Sequence, residues 1–287
     1  MKGGKIAAVI DIGSNLLKMR ICQLRKGEII SLDRLQYPLC LGHEVFTGGK
    51  ISFESLRELS SILQGYSEIM AEYGTDQYKV VATTALREAK NSAYVLDQLK
   101  IQNDMTVEIL EDGQEKTLIY SEILASLRTM APQKIGNALI SYIGAGTIGL
   151  SVFDGQNMVF SQNVPMGALK LHDMLGSIQE ETDSFYVVVE EYLDSIIGRI
   201  RLPQPEGGFE SLVLTGNEIE LIAKICGIEP ENGRYIIKAK QIKTCSRRSV
   251  PFPRRKSADR FGIEEEVAEL LYSALAIYVR LMQFVKA

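Results

Sequence analysis

The sequence predicts an α/β protein made of two related units. Strand-like and helix-like hydrophobic patterns alternate along the chain, which is typical of sheets covered by helices. A pattern of apolar strand, glycine-containing turn and second strand occurs twice, once near the N-terminus and once near residue 140. The length of 287 residues also exceeds the ~100–150 residues that are commonest for a single domain. Together these observations favour a duplicated α/β architecture.

The first half carries a regular succession of strand and helix signals. Apolar residues recur at helical spacing from Leu56 to Tyr73, and Gly74 follows as the residue that ends this helix. Asn91 is predicted to cap the next helix. The other predicted elements are strands at Ile6–Ile10, around Leu17–Ile21, after the Arg25–Glu28 turn, at Tyr78–Ala82 and at Val107–Leu110, and a helix from Gln114 to Leu127.

The pattern restarts after Pro132, so two domains are expected, at 1–132 and 133–287. The second domain is predicted to have strands at Ala138–Ile143, Leu150–Phe153, Met158–Val164 and Leu212–Leu214, and helices at Phe185–Ile197, Ile219–Cys226 and Glu264–Val285. The last helix, at 264–285, is expected to pack toward the first domain.

The two halves align as an internal repeat. Val9–Asn15 superimposes on Ile140–Gly146, so each segment is a buried strand followed by a glycine turn. Glycine lets the backbone approach an oxygen-rich anion and donate N–H groups to it. Two such turns facing one cleft would bind a phosphorylated ligand, and Asp11 could hold a divalent cation there through water.

Cysteine spacing and the length of the apolar runs exclude several classes of protein. The chain has 32 Lys+Arg and 36 Asp+Glu, and its four cysteines form no CxxC pair, so neither a zinc site nor a disulfide framework is expected. The apolar run Leu270–Val279 is far shorter than the ~20 residues that cross a bilayer. We therefore expect a cytoplasmic protein with no membrane span.

The segment Lys238–Lys256 is strongly basic, because it carries eight basic residues and no acidic one. It is either a polyanion-binding track or a solvated loop, and the prolines within it argue against regular structure. The residues proposed for such a track are Arg247, Arg248, Arg254 and Arg255.

Four blocks of the sequence stand out, at Asp11–Asn15, Ala82–Asn91, Glu111–Tyr120 and Val164–Leu171. In this order they resemble motifs of the Ppx/GppA phosphatases, the exopolyphosphatases and guanosine pentaphosphate phosphohydrolases. Asp11–Asn15 looks like the family's opening loop, and Ala82–Asn91 is similar to its A-T-S-A-L-R-E-A-x-N block. Glu111–Tyr120 and Val164–Leu171 resemble two further blocks in the same order. The resemblance spans most of residues 5–175.

The resemblance implies duplicated actin-like domains and hydrolysis of phosphoanhydride bonds with Mg²⁺ or Mn²⁺. Glu115 falls on the family's general base, Arg87 on an arginine expected near the phosphate chain, and Asp11 on the metal-binding aspartate. The family's phosphate-binding loop residues fall on Gly13, Ser14, Asn15, Gly144, Ala145, Gly146 and Thr147.

Several positions depart from the family pattern. Tyr142 stands where the second loop has an aspartate, and a neutral phenol is a poor ligand for a hard cation. Ala145 replaces a glycine, and Thr147 replaces a serine. Because Gly113 lies one position late, an alternative register weakens the choice of Glu115 over Lys116. Two neighbouring carboxylates, Glu111 and Asp112, then become candidates for the base.

Two functions therefore stay open. The first is hydrolysis that releases terminal phosphate from inorganic polyphosphate or from guanosine pentaphosphate, with weakened activity. The second is a catalytically silent protein that binds polyphosphate or a guanosine penta- or tetraphosphate and regulates another process. A small-molecule kinase is a minor alternative. No specific nucleic-acid partner is expected, and the oligomeric state is open, with a homodimer among the options.

Overall fold

The computed structural model describes residues 4–130, 136–179, 185–216, 218–231, 235–238, 240–244 and 265–285. The chain divides into two compact units, Met1–Leu118 and Ile119–Ala287. The four arginines of the predicted polyanion track and the boundary residue Pro132 lie outside the described residues. Within the described part of the chain, no helix combines the length and the apolar character needed to cross a bilayer.

The first unit is built on a five-stranded sheet in the order β3-β2-β1-β4-β5. Strands β1, β2 and β3 form an antiparallel meander, whereas β4 and β5 run parallel to β1. The strands are β1 (Lys5–Ile12), β2 (Leu16–Arg25), β3 (Glu28–Pro38), β4 (Tyr78–Ala82) and β5 (Val107–Ile109). The helices are α1 (Leu41–Gly48), α2 (Phe53–Glu72), α3 (Thr84–Glu88), α4 (Ser92–Asn103) and α5 (Asp112–Met130), which continues into the second unit.

One face of this sheet forms the core of the first unit. Ile10 and Ile12 of β1 are fully buried, and they cluster with Leu59 and Leu63, which lie on one stripe of α2. Ser52 caps α2, since its hydroxyl accepts a hydrogen bond from the amide of Ser55. The predicted helical spacing of α2 therefore corresponds to a stripe of apolar residues that packs into the core.

The second unit repeats the arrangement with a four-stranded sheet in the order β8-β7-β6-β9. Its strands are β6 (Asn137–Ile143), β7 (Ile148–Asp154), β8 (Met158–Val164) and β9 (Ser211–Gly216). Its helices are α6 (Ala168–Gln179), α7 (Phe185–Ile197), α8 (Ile219–Ile225) and α9 (Glu265–Leu281). Helix α9 packs on α6 and α7, and Leu271, Leu275 and Tyr278 lie in the core of this second unit.

The predicted repeat is present at the level of backbone hydrogen bonds. Strand β1 pairs antiparallel with β2 and parallel with β4, as β6 does with β7 and β9. In the first hairpin the amide of Gly13 donates to the carbonyl of Leu16 at 3.1 Å, and in the second the amide of Gly144 donates to that of Thr147 at 2.9 Å. The two hairpins therefore close with the same bond.

Two local expectations turn out differently. Asn91 precedes α4 as predicted, but its side chain makes no cap. It instead exchanges two hydrogen bonds with the backbone of Ile51, which joins the start of α4 to the segment before α2. The sequence patterns also gave no sign of α1, α3 and α6, because these helices are short or begin directly at a loop, where hydrophobic spacing has too few turns to be read.

Candidate functional site

The ends of three parallel strands lie side by side in the first unit. The amide of Thr83, just after β4, donates to the carbonyl of Ile12 at the end of β1, at 3.2 Å. The amide of Leu110, just after β5, donates in turn to the carbonyl of Ala82 at 2.9 Å. These bonds hold the loops after β1, β4 and β5 at one edge of the sheet, where ligands of open α/β sheets bind.

The loop after β1 presents backbone donors. The carbonyl of Ser14 accepts from the amide of Gly42 at 2.7 Å, and that of Asn15 from Leu39 at 3.0 Å. The amides of Ser14 and Asn15 donate to no acceptor among the described residues. A Cβ atom on Gly13 would lie only 2.9 Å from the Leu16 carbonyl oxygen, so the tight turn requires glycine. Paired carbonyls and open amides make this loop suited to an anion.

Asp11 lies at the end of β1, immediately before this loop. Its Oδ1 atom is buried and has no hydrogen-bond partner among the described residues. Burial raises the pKa of the Asp11 carboxyl above its ordinary value, and the positive charge of Lys18 opposes that rise. Lys18 is the cross-strand neighbour of Asp11 in β2. A buried carboxylate with an unused oxygen is chemically suited to a cation.

Glu115 and Arg87 form a partly buried ion pair at the same edge. Their Nη1 and Oε2 atoms are 3.0 Å apart, and the two side chains are only 18% and 17% exposed. Arg87 also donates to the carbonyl of Leu110 at 2.7 Å and to the hydroxyl of Thr84 at 3.2 Å. Because three partners fix the guanidinium, it holds the Glu115 carboxylate in one position.

The environment of Glu115 raises the affinity of its carboxylate for a proton. Burial raises the pKa of the Glu115 carboxyl above its ordinary value, the hydrogen bond and charge of Arg87 lower it, and the charges of Asp11 and Asp112 raise it. The charge of Asp11 is thus near enough to act on Glu115. A carboxylate whose pKa is raised toward neutrality is a better proton acceptor than an exposed one.

The start of α5 distinguishes Glu115 from its neighbours. The Gln114 side chain accepts from the amide of Glu111 at 2.9 Å, which is half of a capping box. Glu111 and Asp112 are exposed, whereas Glu115 is turned toward Arg87. Glu115 is therefore paired and partly buried, whereas the two alternative carboxylates are exposed.

The loop after β6 has a similar backbone. The carbonyls of Gly144 and Ala145 accept from the amides of Ala168 and Lys170, at 3.1 and 3.0 Å, in the first turn of α6. The amides of Ala145 and Gly146 donate to no acceptor in the described part of the chain. A Cβ atom on Gly167 would collide with the backbone of Gly144 and Ala145, so this approach of α6 needs glycine. Ala145 itself avoids the left-handed backbone region, and its methyl group adds no strain.

The side chains around the second loop differ completely from those around the first. A Cβ atom on Gly144 would lie 2.9 Å from the Tyr142 hydroxyl oxygen, so this ring packs against the loop. Gly149 is the cross-strand neighbour of Tyr142, and a Cβ atom there would lie 2.7 Å from the Tyr120 hydroxyl oxygen. Tyr142 and Gly149 thus occupy the places that Asp11 and Lys18 hold in the first unit.

Among the described residues, those that fit a divalent cation lie in the first unit. Asp11 offers an unused buried oxygen, and Glu115 lies within electrostatic range of it. No group of three or more His, Cys, Asp or Glu side chains able to hold a metal occurs among the described residues. A cation at Asp11 would therefore complete its shell with water and phosphate oxygens, as Mg²⁺ commonly does.

The sequence analysis did not identify three residues that lie near these groups: Lys18 beside Asp11, Thr84 bound to Arg87 and Tyr120 beside Gly149. Lys18 carried a usable signal, since it alternates with buried Leu17 and Met19 and so faces the same side of the sheet as Asp11. Tyr120 carried none, because its hydroxyl reaches Gly149 from a helix far away in sequence.

Comparison with known proteins identifies the family to which this chain belongs. The model of the Ppx/GppA phosphatase family matches residues 21–287. Exopolyphosphatase 1 of Mycobacterium tuberculosis is 22% identical over 259 residues, which cover 89% of this chain and 74% of that protein. An uncharacterised protein of Streptomyces coelicolor is 24% identical over 234 residues, covering 79% of this chain and 67% of that protein.

Solved structures show the same fold. A Ppx/GppA family member from Aquifex aeolicus has a TM-score of 0.74 at 21% identity and covers 97% of this chain and 90% of that chain. An exopolyphosphatase from Cytophaga hutchinsonii has a TM-score of 0.74 at 17% identity and covers 99% and 92%. The predicted α/β architecture of actin-like units is confirmed by these likenesses.

Proposed function

Because this chain belongs to the Ppx/GppA phosphatase family, we propose that it is a phosphoanhydride hydrolase. Its substrate class would be inorganic polyphosphate or guanosine pentaphosphate, from which it releases the terminal phosphate. The observation that carries the proposal is the partly buried Glu115, held by Arg87 within electrostatic range of Asp11. A positioned base, a guanidinium and a buried carboxylate are the groups that phosphoryl transfer to water requires.

Glu115 acts as the general base in this proposal. Its Oε atoms take the proton from the attacking water, and its raised pKa makes that transfer more favourable than it would be for an exposed glutamate. Arg87 fixes the carboxylate before the reaction. Once Glu115 is protonated, the charge of Arg87 is available to offset negative charge on the phosphoryl group.

Backbone amides hold the phosphate groups. The open amides of Ser14 and Asn15 in the first unit, and of Ala145 and Gly146 in the second, bind anionic oxygens without any charged side chain. Lys18 adds a positive charge beside the first loop. Since these donors are fixed by the bonds of their own carbonyls, they need little reorganisation when the anion binds.

Asp11 would hold Mg²⁺ or Mn²⁺ in this scheme, together with water and phosphate oxygens. When bound, such a cation would supply positive charge that offsets the charge of the phosphate groups. Tyr142 contributes no carboxylate, so the second loop would hold phosphate without a cation of its own. A cytoplasmic location and a polyphosphate-binding role for the segment 238–256 remain predictions.

The decisive experiment removes the proposed base. Glu115→Gln keeps the shape of the side chain but cannot accept the proton, so phosphate release should fall roughly 10²–10⁴-fold. Phosphate release from long-chain polyphosphate with Mg²⁺ measures this effect. Glu122→Gln is the matched control, because Glu122 is an exposed glutamate on the same helix. Equal rates in wild type and Glu115→Gln would remove Glu115 from the mechanism.

The alternative function, a catalytically silent protein that binds the same phosphates, is supported by one observation, the phenol of Tyr142 in place of a carboxylate. Measuring polyphosphate binding and hydrolysis on the same sample separates the two functions. Turnover supports the hydrolase. Binding with no turnover at any concentration of Mg²⁺ or Mn²⁺ would instead favour a regulatory protein that uses the same loops.

A further inference from the structure

A row of residues on the sheet of the first unit is open to solvent, on the face opposite the core. Val9, in the central strand β1, lies on this face and is 50% exposed. Its cross-strand neighbour in β2 is Arg20, and the cross-strand neighbour of Arg20 in β3 is Arg34. Because directly opposite residues of antiparallel strands share a face, two exposed arginines lie side by side here.

The two arginines share one hydrogen-bond acceptor. Arg20 Nε donates to the Ser31 hydroxyl oxygen at 3.3 Å, and Arg34 Nε donates to the same oxygen at 3.4 Å. The terminal amino groups of both guanidiniums have no acceptor among the described residues. A serine oxygen that accepts two hydrogen bonds still has its own O–H to donate. Two anchored guanidiniums and a hydroxyl donor therefore meet at one place.

No carboxylate pairs with these arginines in the described part of the chain. Asp33 is the nearest acidic residue in sequence, but its two oxygens accept from the Arg34 amide and from the hydroxyl of Tyr73 on α2. Glu108 of β5 is paired with Lys79 at 2.9 Å, and two strands separate it from β2. Like charges that lie directly opposite each other destabilise a sheet. The arginine pair therefore fits a bound anion.

The donors of this pair are suited to phosphate. Guanidinium groups bind phosphate oxygens through parallel N–H donors, and a phosphate has enough oxygens for two guanidiniums and a hydroxyl to share it. Lys18 lies two residues before Arg20 on the same face of β2, which is a step of about 7 Å along a strand. Lys18 is also the cross-strand neighbour of Asp11. Positive charge therefore continues from the arginine pair to the end of β1, where the loop 13–15 begins.

We propose that Arg20, Arg34 and Ser31 bind inner phosphates of an inorganic polyphosphate chain whose terminal phosphate lies at the loop after β1. This inference rests on the proposed function, which places the terminal phosphate at that loop. The open face favours a bare phosphate chain over guanosine pentaphosphate, because the row of the arginines and the next row toward the loop offer no aromatic ring on which a base could stack. Across β1, β2 and β3, these rows are Val9, Arg20 and Arg34, then Asp11, Lys18 and Gln36.

Binding to the full chain tests this site without hydrolysis. The affinities for long-chain polyphosphate and for triphosphate are measured by calorimetry with a chelator present, and a gel confirms afterwards that the polyphosphate is uncut. The double variant Arg20→Gln/Arg34→Gln should bind the long chain roughly 10–100-fold more weakly, since it loses charge-assisted hydrogen bonds to phosphate. Its affinity for triphosphate should change less than about twofold, because the short chain is held by the amides of the loop.

Further variants separate a built site from general attraction between charges. Ser31→Ala changes no charge, but it releases both Nε atoms and removes a donor, so it should weaken long-chain binding roughly threefold to tenfold. Arg20→Gln and Arg57→Gln each remove one exposed positive charge, and Arg57 lies on α2, which packs on the opposite face of the sheet. Only the first of these two should weaken binding. Thermal unfolding midpoints check that every variant is folded.

Four results would each overturn the site: unchanged long-chain affinity in the double variant, an equal loss of affinity for triphosphate, unchanged affinity in Ser31→Ala, or losses of equal size in Arg20→Gln and Arg57→Gln. An equal loss for triphosphate would mean that the arginines bind a small anion rather than a chain. None of these measurements involves turnover. A wild type that hydrolyses nothing would therefore refute the hydrolase without changing the binding results, and the two proposals can fail separately.

Discussion

The two hairpin loops share a backbone but differ in every side chain that carries charge. Both close with an amide of the first glycine donating to a carbonyl three residues later, and both give their carbonyls to the following helix or its approach. The first loop is flanked by Asp11 and Lys18, whereas the second is flanked by Tyr142 and Gly149. The backbone of the loop is therefore kept while the charged side chains beside it are replaced.

The difference follows from what each part of the hairpin needs. Amide donors depend on backbone geometry, which Gly13 and Gly167 protect by allowing close approach. A cation depends on carboxylate oxygens, which a phenol cannot replace. Tyr142 and Tyr120 place neutral hydroxyl groups beside Gly144 and Gly149 in the second loop. We infer that catalysis is concentrated in the first unit and that the second contributes phosphate binding alone.

Among the changes that test this comparison of the two loops, the largest effect is expected at Asp11. Asp11→Asn should lower phosphate release roughly 10²–10³-fold, because it removes the proposed cation ligand. The corresponding change in the second unit, Tyr142→Phe, should change the rate less than about threefold, since it removes a hydroxyl that binds no cation. Phosphate release titrated with Mn²⁺ measures both, and equal losses in the two variants would contradict the asymmetry.

Asp11 should also make the stability of the folded protein depend on pH. Burial in the folded state raises the pKa of this carboxyl, so ionising the carboxyl lowers the free energy of unfolding. The protonated carboxyl therefore contributes stability at low pH, and this stability is lost as the pH rises through the folded-state pKa. Asn carries no such penalty. Asp11→Asn should therefore unfold at a higher temperature than wild type at neutral pH, and the two should converge as the pH falls.

The second effect concerns Arg87, which the resemblance placed near the phosphate chain and which the structure pairs with Glu115. Arg87→Met should lower phosphate release roughly 10–100-fold, because Glu115 loses its fixed position. Burial raises the pKa of the Glu115 carboxyl, and Arg87 opposes that rise. Without Arg87 the pKa should be higher still, so as the pH is lowered the variant should lose activity at a higher pH than wild type does. Arg57→Met, an exposed arginine on α2, should leave the pH profile unchanged.

Much of this fold could be predicted from local signals, and the reasons are physical. The strands β1, β4 and β6 alternate or run apolar over several residues, and the glycine turns mark where they end. Helix α2 repeats its apolar stripe over five turns. Short helices such as α3 offer one turn and no period, so their presence depends on the strands on either side of them.

The site was harder to predict than the fold, because its chemistry depends on contacts between distant residues. The motif identified Arg87 and Glu115 separately, but their ion pair joins positions 28 residues apart. The substitution at Tyr142 was visible in the sequence, whereas Tyr120 beside Gly149 was not. Whether the two loops face a shared cleft stays a prediction.

A smaller effect tests the backbone that the loops share. Gly167→Ala would push a methyl group into the backbone of Gly144 and Ala145, so it should destabilise the second unit by about 1–3 kcal/mol and weaken phosphate binding there. Gly65→Ala is the matched control, because Gly65 lies within α2 with no atom near its Cβ position and should gain stability slightly. Denaturant unfolding measures both, and an unchanged Gly167→Ala would show that α6 can shift away.

The smallest effect attempts to make the second loop resemble the first. Tyr142→Asp restores the carboxylate that the family has there, and we expect turnover to rise severalfold with Mg²⁺, while stability falls because the ring no longer packs on Gly144. Tyr142→Asn loses the same ring without gaining a charge, so it should lose stability and gain no rate. A similar rate in the Asp and Asn variants would show that the missing second carboxylate is not what limits turnover.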